Sequence, residues 1–348
     1  MKIKRFSLLL CLLSILVAGC GAFDENSNLT SDSDMSVDEF EKINPEMENS
    51  ELITVGFSQL GSESVWRAAN SESIKNALTE EKGFSLEFSN ARQKQENQIK
   101  AIRGFISQRV DYIAFAAVTE EGWDTVLKEA KDAEIPVILV DRKINTSDQS
   151  LFVSWIGSDA KAEGERAGLW LKEYLIKQGR EKENINIVML QGNIGSSAER
   201  GRTQGFNAIA YNNKNWNILD EQPADFTTAK GKEVMLKFLE DYSDIDVVVS
   251  QNDDMTFGAI EAMKEKGISY GEDGDVIVIS FDAVHAGLEL VQSGEINVDI
   301  ECNPEEGEYI ANIIKKLENG EKVKKENVVN EKIFTKENVD KYINDRTY

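Results

Sequence analysis

Val247-Val248-Val249-Ser250-Gln251-Asn252-Asp253-Asp254-Met255 runs directly into an apolar-periodic stretch from Thr256 to Gly267. Three consecutive β-branched residues predict a strand buried on both faces, because such side chains suit the pleat and a strand covered by helices has no solvent side. A cluster of amides and carboxylates begins where that strand must stop. In an open parallel sheet, ligands bind in the crevice beyond the carboxyl ends of the strands, so this tip is the expected place for a small-molecule site, with Asn252 as its first contact.

Outward from Val247, short β-rich runs alternate with amphipathic helical runs. Towards the N-terminus the expected strands are Ile53 to Ser58, Ser85 to Ser89, Tyr112 to Ala116, and Val137 to Val140, entered through Pro136. Between them Ile74, Ala77 and Leu78, then Ile99 to Val110, then Trp123 to Ala130, repeat at helical spacing. After a segment around Trp155 to Asp159 the pattern restarts. It gives a helix from Ala160 to Gln178, strands Ile185 to Leu190 and Trp216 to Leu219, and, beyond Val247, strands Val276 to Phe281 and Asn297 to Ile300. A last helix carries Tyr309, Ile310, Ile313, Ile314 and Leu317. The expectation is an α/β chain of two doubly wound, Rossmann-like parallel-sheet domains. The C-terminal residues are too few for a third core, so they return to the existing lobes. One lobe is expected over 51–157 and 303–331, the other over 158–302 and 332–345, with several chain crossings between them forming a hinge.

Polar residues gather at the strand ends. Glu63, Trp66 and Arg67 follow the first strand, Asp141-Arg142 the fourth, and Arg202 belongs to the run after Leu190. Asn252, Asp282 and Glu301 close the later strands, and Phe226 follows Trp216 to Leu219 by a short loop. Charged and amide groups of this kind fix adjacent hydroxyls with charge-assisted hydrogen bonds, while an aromatic face covers the apolar side of a sugar ring. The chemistry suits a neutral polyol held between two lobes. Singly, each residue also has a structural explanation as surface ion pair, core aromatic or helix cap; the recurrence at successive strand ends is what favours a site.

The N-terminus carries Lys2, Lys4 and Arg5 before an apolar run from Phe6 to Ala18, the form of a secretory signal and too short for a comfortable membrane span. Leu16-Val17-Ala18-Gly19-Cys20 resembles the lipobox of bacterial lipoproteins. That resemblance implies cleavage of residues 1–19 and a diacylglycerol on Cys20, leaving 20–50, rich in Ser, Asn, Asp and Glu, as an acidic disordered tether. Cys302 then has no partner, so the folded part holds no internal disulfide. The formal charge of −23 becomes −26 once the three signal cations leave. Nucleic acid is excluded as a partner on that balance, because counterion release would oppose binding.

Several stretches, set together, resemble the type I periplasmic sugar-binding proteins of ABC transporters, the ribose-binding group. They are Val55-Gly56-Phe57-Ser58, Ile135-Pro136-Val137-Ile138-Leu139-Val140-Asp141-Arg142, Gln222-Pro223-Ala224-Asp225-Phe226, Gln251-Asn252-Asp253-Asp254-Met255 and Ser280-Phe281-Asp282. The resemblance spans about Leu52 to Phe334. Gly61-Ser62-Glu63-Ser64-Val65-Trp66-Arg67 and Gln93 to Ala101 are most similar to the galactofuranose-binding members. It implies that Asp141 and Arg142 bind sugar from the first lobe, that Arg202, Asn252 and Asp282 close from the second, and that Phe226 stacks on the ring. Glu63, Trp66 and Arg67 would supply first-loop contacts. Cys302 stands where ribose binders place Gln, so Glu301 or Asn303 is expected to take over, which argues against ribose.

Catalytic readings find less support. Gly192-Asn193-Ile194-Gly195 lacks the third glycine of a dinucleotide fingerprint, and His285 has no nucleophile beside it. Glu272-Asp273-Gly274-Asp275 lacks calcium-loop spacing, and Asp253 and Asp254 are adjacent where a glycosidase needs opposed carboxylates. The expected protein is an extracytoplasmic, lipid-anchored monomer without metal or cofactor. It captures a monosaccharide and delivers it to an ABC permease; the alternative is a sugar-sensing receptor for a membrane kinase or chemoreceptor, and a hydrolase is disfavoured.

Overall fold

A computed structural model describes residues 52–348; the expected signal peptide, Cys20 and the tether lie outside the described residues. The first sheet is built from β1 (Ile53–Gln59), β2 (Phe84–Asn90), β3 (Tyr112–Phe115), β4 (Val137–Val140) and β5 (Ser154–Gly157). Three helices alternate with its first four strands: α1 (Val65–Ala77), α2 (Gln95–Gln108) and α3 (Asp124–Asp132). The second sheet holds β6 (Ile185–Gln191), β7 (Trp216–Pro223), β8 (Val247–Ser250), β9 (Ile277–Asp282) and β10 (Val298–Glu301). Its helices are α4 (Ala160–Lys177), α5 (Ser197–Ala210), α6 (Thr228–Asp241), α7 (Asp253–Lys266) and α8 (His285–Ser293). The chain ends with α9 (Gly307–Glu318), β11 (Glu326–Val328) and β12 (Ile333–Phe334).

The two sheets repeat one topology. The first runs β11-β5-β4-β3-β1-β2, all parallel, and the second β12-β10-β9-β8-β6-β7, parallel except for the antiparallel β10–β12 pair. Each therefore has a switch point, between β1 and β3 and between β6 and β8, where connections leave to opposite faces and open a crevice at the strand ends. Both faces of each sheet are packed. In the first lobe Val55, Phe57, Ile138 and Ile310 fill one side and Phe115, Trp123, Leu139 and Trp155 the other. In the second, Val248, Met263 and Phe238 oppose Val247, Val249, Leu171 and Phe206. Full burial of such side chains stabilises by about 1.5–3 kcal/mol each, and makes the crevices rigid platforms.

The chain passes from the first sheet to the second after Gly157, returns after Glu301 so that α9 packs on α1, and crosses again between Val328 and Ile333. One close contact matters for the site. A Cβ on Gly164 of α4 would lie 2.2 Å from the Arg202 carbonyl oxygen, and one on Gly205 of α5 would lie 2.0 Å from that of Lys161. Glycine there lets the two helix backbones touch and brings Arg202 beside Glu163.

Five elements differ from expectation, the short strands β11 and β12 among them. The segment at Trp155 is the strand β5, and β7 continues to Pro223. Helix α8 was not anticipated; it is short, and its Gly287 faces Asp253 so closely that a Cβ would come within 2.5 Å of a carboxylate oxygen. Helix α7 starts at Asp253 because Asn252 Oδ1 caps it, accepting the Met255 N–H at 3.0 Å. No helix among the described residues is long and apolar enough to cross a membrane.

Candidate functional site

Between the two lobes lies a cavity of about 30 Å³. Glu63, Ser64, Trp66, Arg67, Asp141 and Arg142 line it from the first lobe, Ala198, Arg202, Phe226, Asn252 and Asp282 from the second, and Cys302 from a crossing. Every site residue expected from the sequence is there except Glu301 and its alternative Asn303.

On the first-lobe wall Ser64 accepts the Arg67 N–H at 3.1 Å and starts α1, which aims Arg67 at the strand ends. Arg67 Nε donates to Glu63 Oε1 at 3.1 Å and Nη2 to Asp141 Oδ2 at 2.6 Å. Burial works against the guanidinium charge, but Asp141 and Glu63 outweigh it and raise the pKa of Arg67 above its ordinary value. Arg142 has poorer support: one bond from Nη1 to the Val118 carbonyl at 3.2 Å and a 3.9 Å approach to Asp141. Burial, together with the like charge of Arg67, pulls its pKa down to about 10. Glu63 Oε2, Arg67 Nη1 and Arg142 Nε are buried without a hydrogen-bond partner. Such groups are costly unless something polar meets them.

The second-lobe wall is centred on Arg202. Its Nε donates to Glu163 Oε2 at 2.6 Å, its Nη1 to the Gln251 carbonyl, and its Nη2 approaches Asp282 Oδ1 at 3.5 Å. Burial opposes its charge, and Glu163 and Asp282 among others more than restore it, so the pKa of Arg202 rises. Burial raises that of Asp282 well above the carboxylate range, against the pull of Arg202. Phe226 sits under Gly192, where a Cβ would come within 1.9 Å of the ring, and Arg142 lies 5.5 Å from the ring centroid. Asp141, Phe226 and Asp282 all have positive φ, 59°, 59° and 105°, a conformation that non-glycine residues adopt where the surroundings impose it. At Asp141 the imposition is visible: Trp155 Nε1 donates to its carbonyl at 3.1 Å, and its own N–H to Ile156 O at 2.8 Å.

The remaining expected residues have mixed duties. Trp66 donates its indole N–H to the Cys302 carbonyl at 2.5 Å, so it braces a crossing as well as lining the cavity. Asn252 spends Oδ1 on its cap and places Nδ2 3.4 Å from the Phe226 carbonyl. Neither neighbouring aspartate is the cap. Asp253 is fully buried, accepting from Ser280 Oγ at 2.5 Å and Val284 N at 2.8 Å. Asp254 reaches the first lobe. Glu301 is the correction: its carboxylate is taken by Arg346 at 2.8 Å and by the Lys332 N–H at 2.8 Å, and it does not line the cavity. Asn303 is also elsewhere, accepting the Glu305 N–H at 2.8 Å. The next residue along the strand end, Cys302, is the one that faces the cleft. Sequence reasoning also passed over Glu163, the partner of Arg202, whose position in the first turn of a helix gave no strand-end signal.

A model of the periplasmic binding protein domain matches residues 55–322 of this chain. The Escherichia coli galactofuranose-binding protein YtfQ is 44% identical over 255 residues, 72% of this chain and 78% of that protein. A Mycobacterium smegmatis structure in complex with β-D-fucofuranose superposes with a TM-score of 0.81 at 41% identity, covering 85% of this chain and 95% of that one. The binding component of the arabinose ABC transporter from Shewanella sp. ANA-3, bound to α- and β-L-arabinofuranose, gives 0.79 at 41% identity, with coverage of 84% and 95%. The chain thus belongs to the periplasmic binding protein family, as a type I sugar-binding member that binds and does not catalyse.

Proposed function

We propose that the protein captures a monosaccharide in its five-membered, furanose form between the two lobes and passes it to an ABC permease, while a diacylglycerol on Cys20 holds it at the outer face of the membrane. The gripping units are 51–157 with 303–331 and 158–302 with 332–345, acting as a monomer. The observation that carries this reading is the set of buried, unpartnered atoms Glu63 Oε2, Arg67 Nη1 and Arg142 Nε on residues that line the cavity. The carboxylate oxygen can accept from a sugar hydroxyl while the two guanidinium N–H groups donate to its neighbours. Asp282 and Asn252 add complementary groups from the other wall, and Phe226 offers the ring face. A ligand touching both walls stabilises the arrangement in which they meet. The furanose preference follows the fucofuranose, arabinofuranose and galactofuranose named for the relatives.

Ring form is tested by calorimetric titration with methyl β-D-galactofuranoside, methyl α-L-arabinofuranoside and the matching pyranosides, which cannot interconvert. Tight binding of a furanoside and weak binding of its pyranoside is expected; equal binding would remove the ring preference, and no binding of any sugar would remove the transport reading. Intact-mass measurement of membrane-extracted protein should show a chain starting at acylated Cys20, and Cys20→Ala should release the protein from the membrane. Sugar-dependent stimulation of permease ATPase activity is the check on delivery.

A further inference from the structure

Ser158, Cys302 and Glu331 lie on the three passages of chain between the lobes, and they meet. Ser158 Oγ is 3.3 Å from Cys302 Sγ and hydrogen-bonds to Glu331 Oε1, which also accepts the Asn303 N–H at 3.2 Å. Glu163, in the first turn of α4, brings its carboxylate to the same point. One oxygen each from Glu163 and Glu331 and the Cys302 sulfur all lie within 4.8 Å of one another.

The two carboxylates are held in the same manner. Arg202 Nε holds Glu163 Oε2 at 2.6 Å, and Arg166 Nη2 holds Glu331 Oε2 at 3.0 Å. The other oxygen of Glu331 accepts from Ser158 Oγ and the Asn303 N–H. Glu163 Oε1, on a side chain with 0% exposure, has no hydrogen-bond partner at all. Glu163, with one oxygen tied by a hydrogen bond and the other free, is oriented as ligating carboxylates are at metal centres. Two carboxylates and a thiolate also outnumber the two guanidinium groups, so the cluster in its ligating form carries an excess of negative charge that a dication offsets.

The donor set selects the ion. Calcium and magnesium take six or more oxygens and have no use for sulfur, whereas zinc accepts thiolate and carboxylate together. Bond lengths of about 2.0–2.3 Å place tetrahedral zinc ligands roughly 3–4 Å apart, so the two carboxylates and the sulfur need at most a small contraction, while Ser158 Oγ must draw back from Glu331 Oε1 to ligate. A cavity of about 300 Å³, lined by Ser158, Glu163 and Cys302 and reaching the exposed Arg200, gives the ion a route.

We propose that Glu163, Cys302 and Glu331, with Ser158 Oγ as fourth donor, form a hinge site for a divalent cation of the zinc class. As the sulfur–metal bond forms, the Cys302 S–H bond breaks and its proton leaves to solvent through the cavity. The ion joins all three passages, and therefore raises the melting temperature by mass action.

Cadmium is the probe. Added to the reduced, metal-stripped full chain, it should give an ultraviolet thiolate-to-metal absorption band that saturates at one ion per chain over its Cys302→Ser counterpart, and zinc should displace it. Glu331→Gln, which keeps the thiol and lies outside the sugar cavity, should weaken binding about tenfold or more. The proposal is overturned if the band is missing, if it persists undiminished in Cys302→Ser, or if Glu331→Gln binds cadmium as tightly as the parent. Should Cys302→Ser fail to fold, the Glu331→Gln affinity decides alone. An unchanged melting temperature with saturating zinc would equally sink it.

Discussion

Asp254, at the start of α7 in the second lobe, accepts the backbone N–H of Val65, the first residue of α1 in the first lobe, at 3.2 Å. One carboxylate thereby satisfies an unpaired donor at the facing helix end and ties the lobes on one rim of the cleft. On another rim Arg200 pairs with Glu120 at 2.8 Å, the Glu120 N–H donates to the Gly195 carbonyl, and the Lys143 N–H to Ser197 Oγ. The structure is a closed one.

The Asp254 latch carries a pH signature. Burial raises its pKa from 3.8 to about 6, the Val65 N–H pulling it back and Glu63 pushing it further up. A carboxyl raised in the native state contributes fully below its ordinary pKa and loses that contribution as pH climbs through the raised value. Asp254→Asn keeps an acceptor without the charge. The variant should match the parent near pH 4 and exceed it by about 1–3 kcal/mol well above pH 6, read from urea unfolding across that range.

Arg142 should show stability and binding pulling in opposite directions. It is buried beside Arg67 with one good hydrogen bond, so replacing it by methionine removes a strained charge. Arg142→Met should leave unfolding free energy unchanged or raise it by about 1 kcal/mol. Sugar affinity should fall about 100-fold, the loss of charge-assisted bonds worth roughly 3 kcal/mol. Calorimetry and chemical denaturation on one preparation give both numbers.

Gly192 is placed to hold Phe226. An added Cβ would stand 1.9 Å from Phe226 Cζ, with the two neighbouring ring carbons at 2.2 and 2.3 Å, so the ring must move from its place. Gly192→Ala should cost about 1–3 kcal/mol of stability and about tenfold in sugar affinity through the lost ring contact. Titration of the variant, with a crystal structure to locate the ring, measures this.

Glu301 should behave as a structural residue. Its removal strands Arg346, whose side chain is 7% exposed, and frees the Lys332 N–H. Glu301→Ala is expected to lose about 3–5 kcal/mol of unfolding free energy while sugar affinity shifts by less than about threefold, since the residue shares no contact with the cavity. A large affinity loss at full stability would return Glu301 to the site.

Much of this was legible in the chain itself. Val247 to Ser250 is a fully buried strand with Asn252 at its tip because three β-branched residues leave no solvent face and a polar cluster cannot follow them inward. The same reasoning at each strand end found Asp141, Arg142 and Asp282, and the chain's βα alternation fixed the doubly wound class. Linear spacing could not choose between Glu301 and Cys302. Adjacent residues at a strand end point to opposite sides, and only the pairing of β10 with β9 and β12 decides which side meets the cleft. Nor could it join Glu163 to Arg202, which requires two helices brought into backbone contact at Gly164 and Gly205, or bring three hinge passages to one point. Composition and periodicity are local properties that specify elements and their buried faces; partners far apart in sequence are set by how those elements pack.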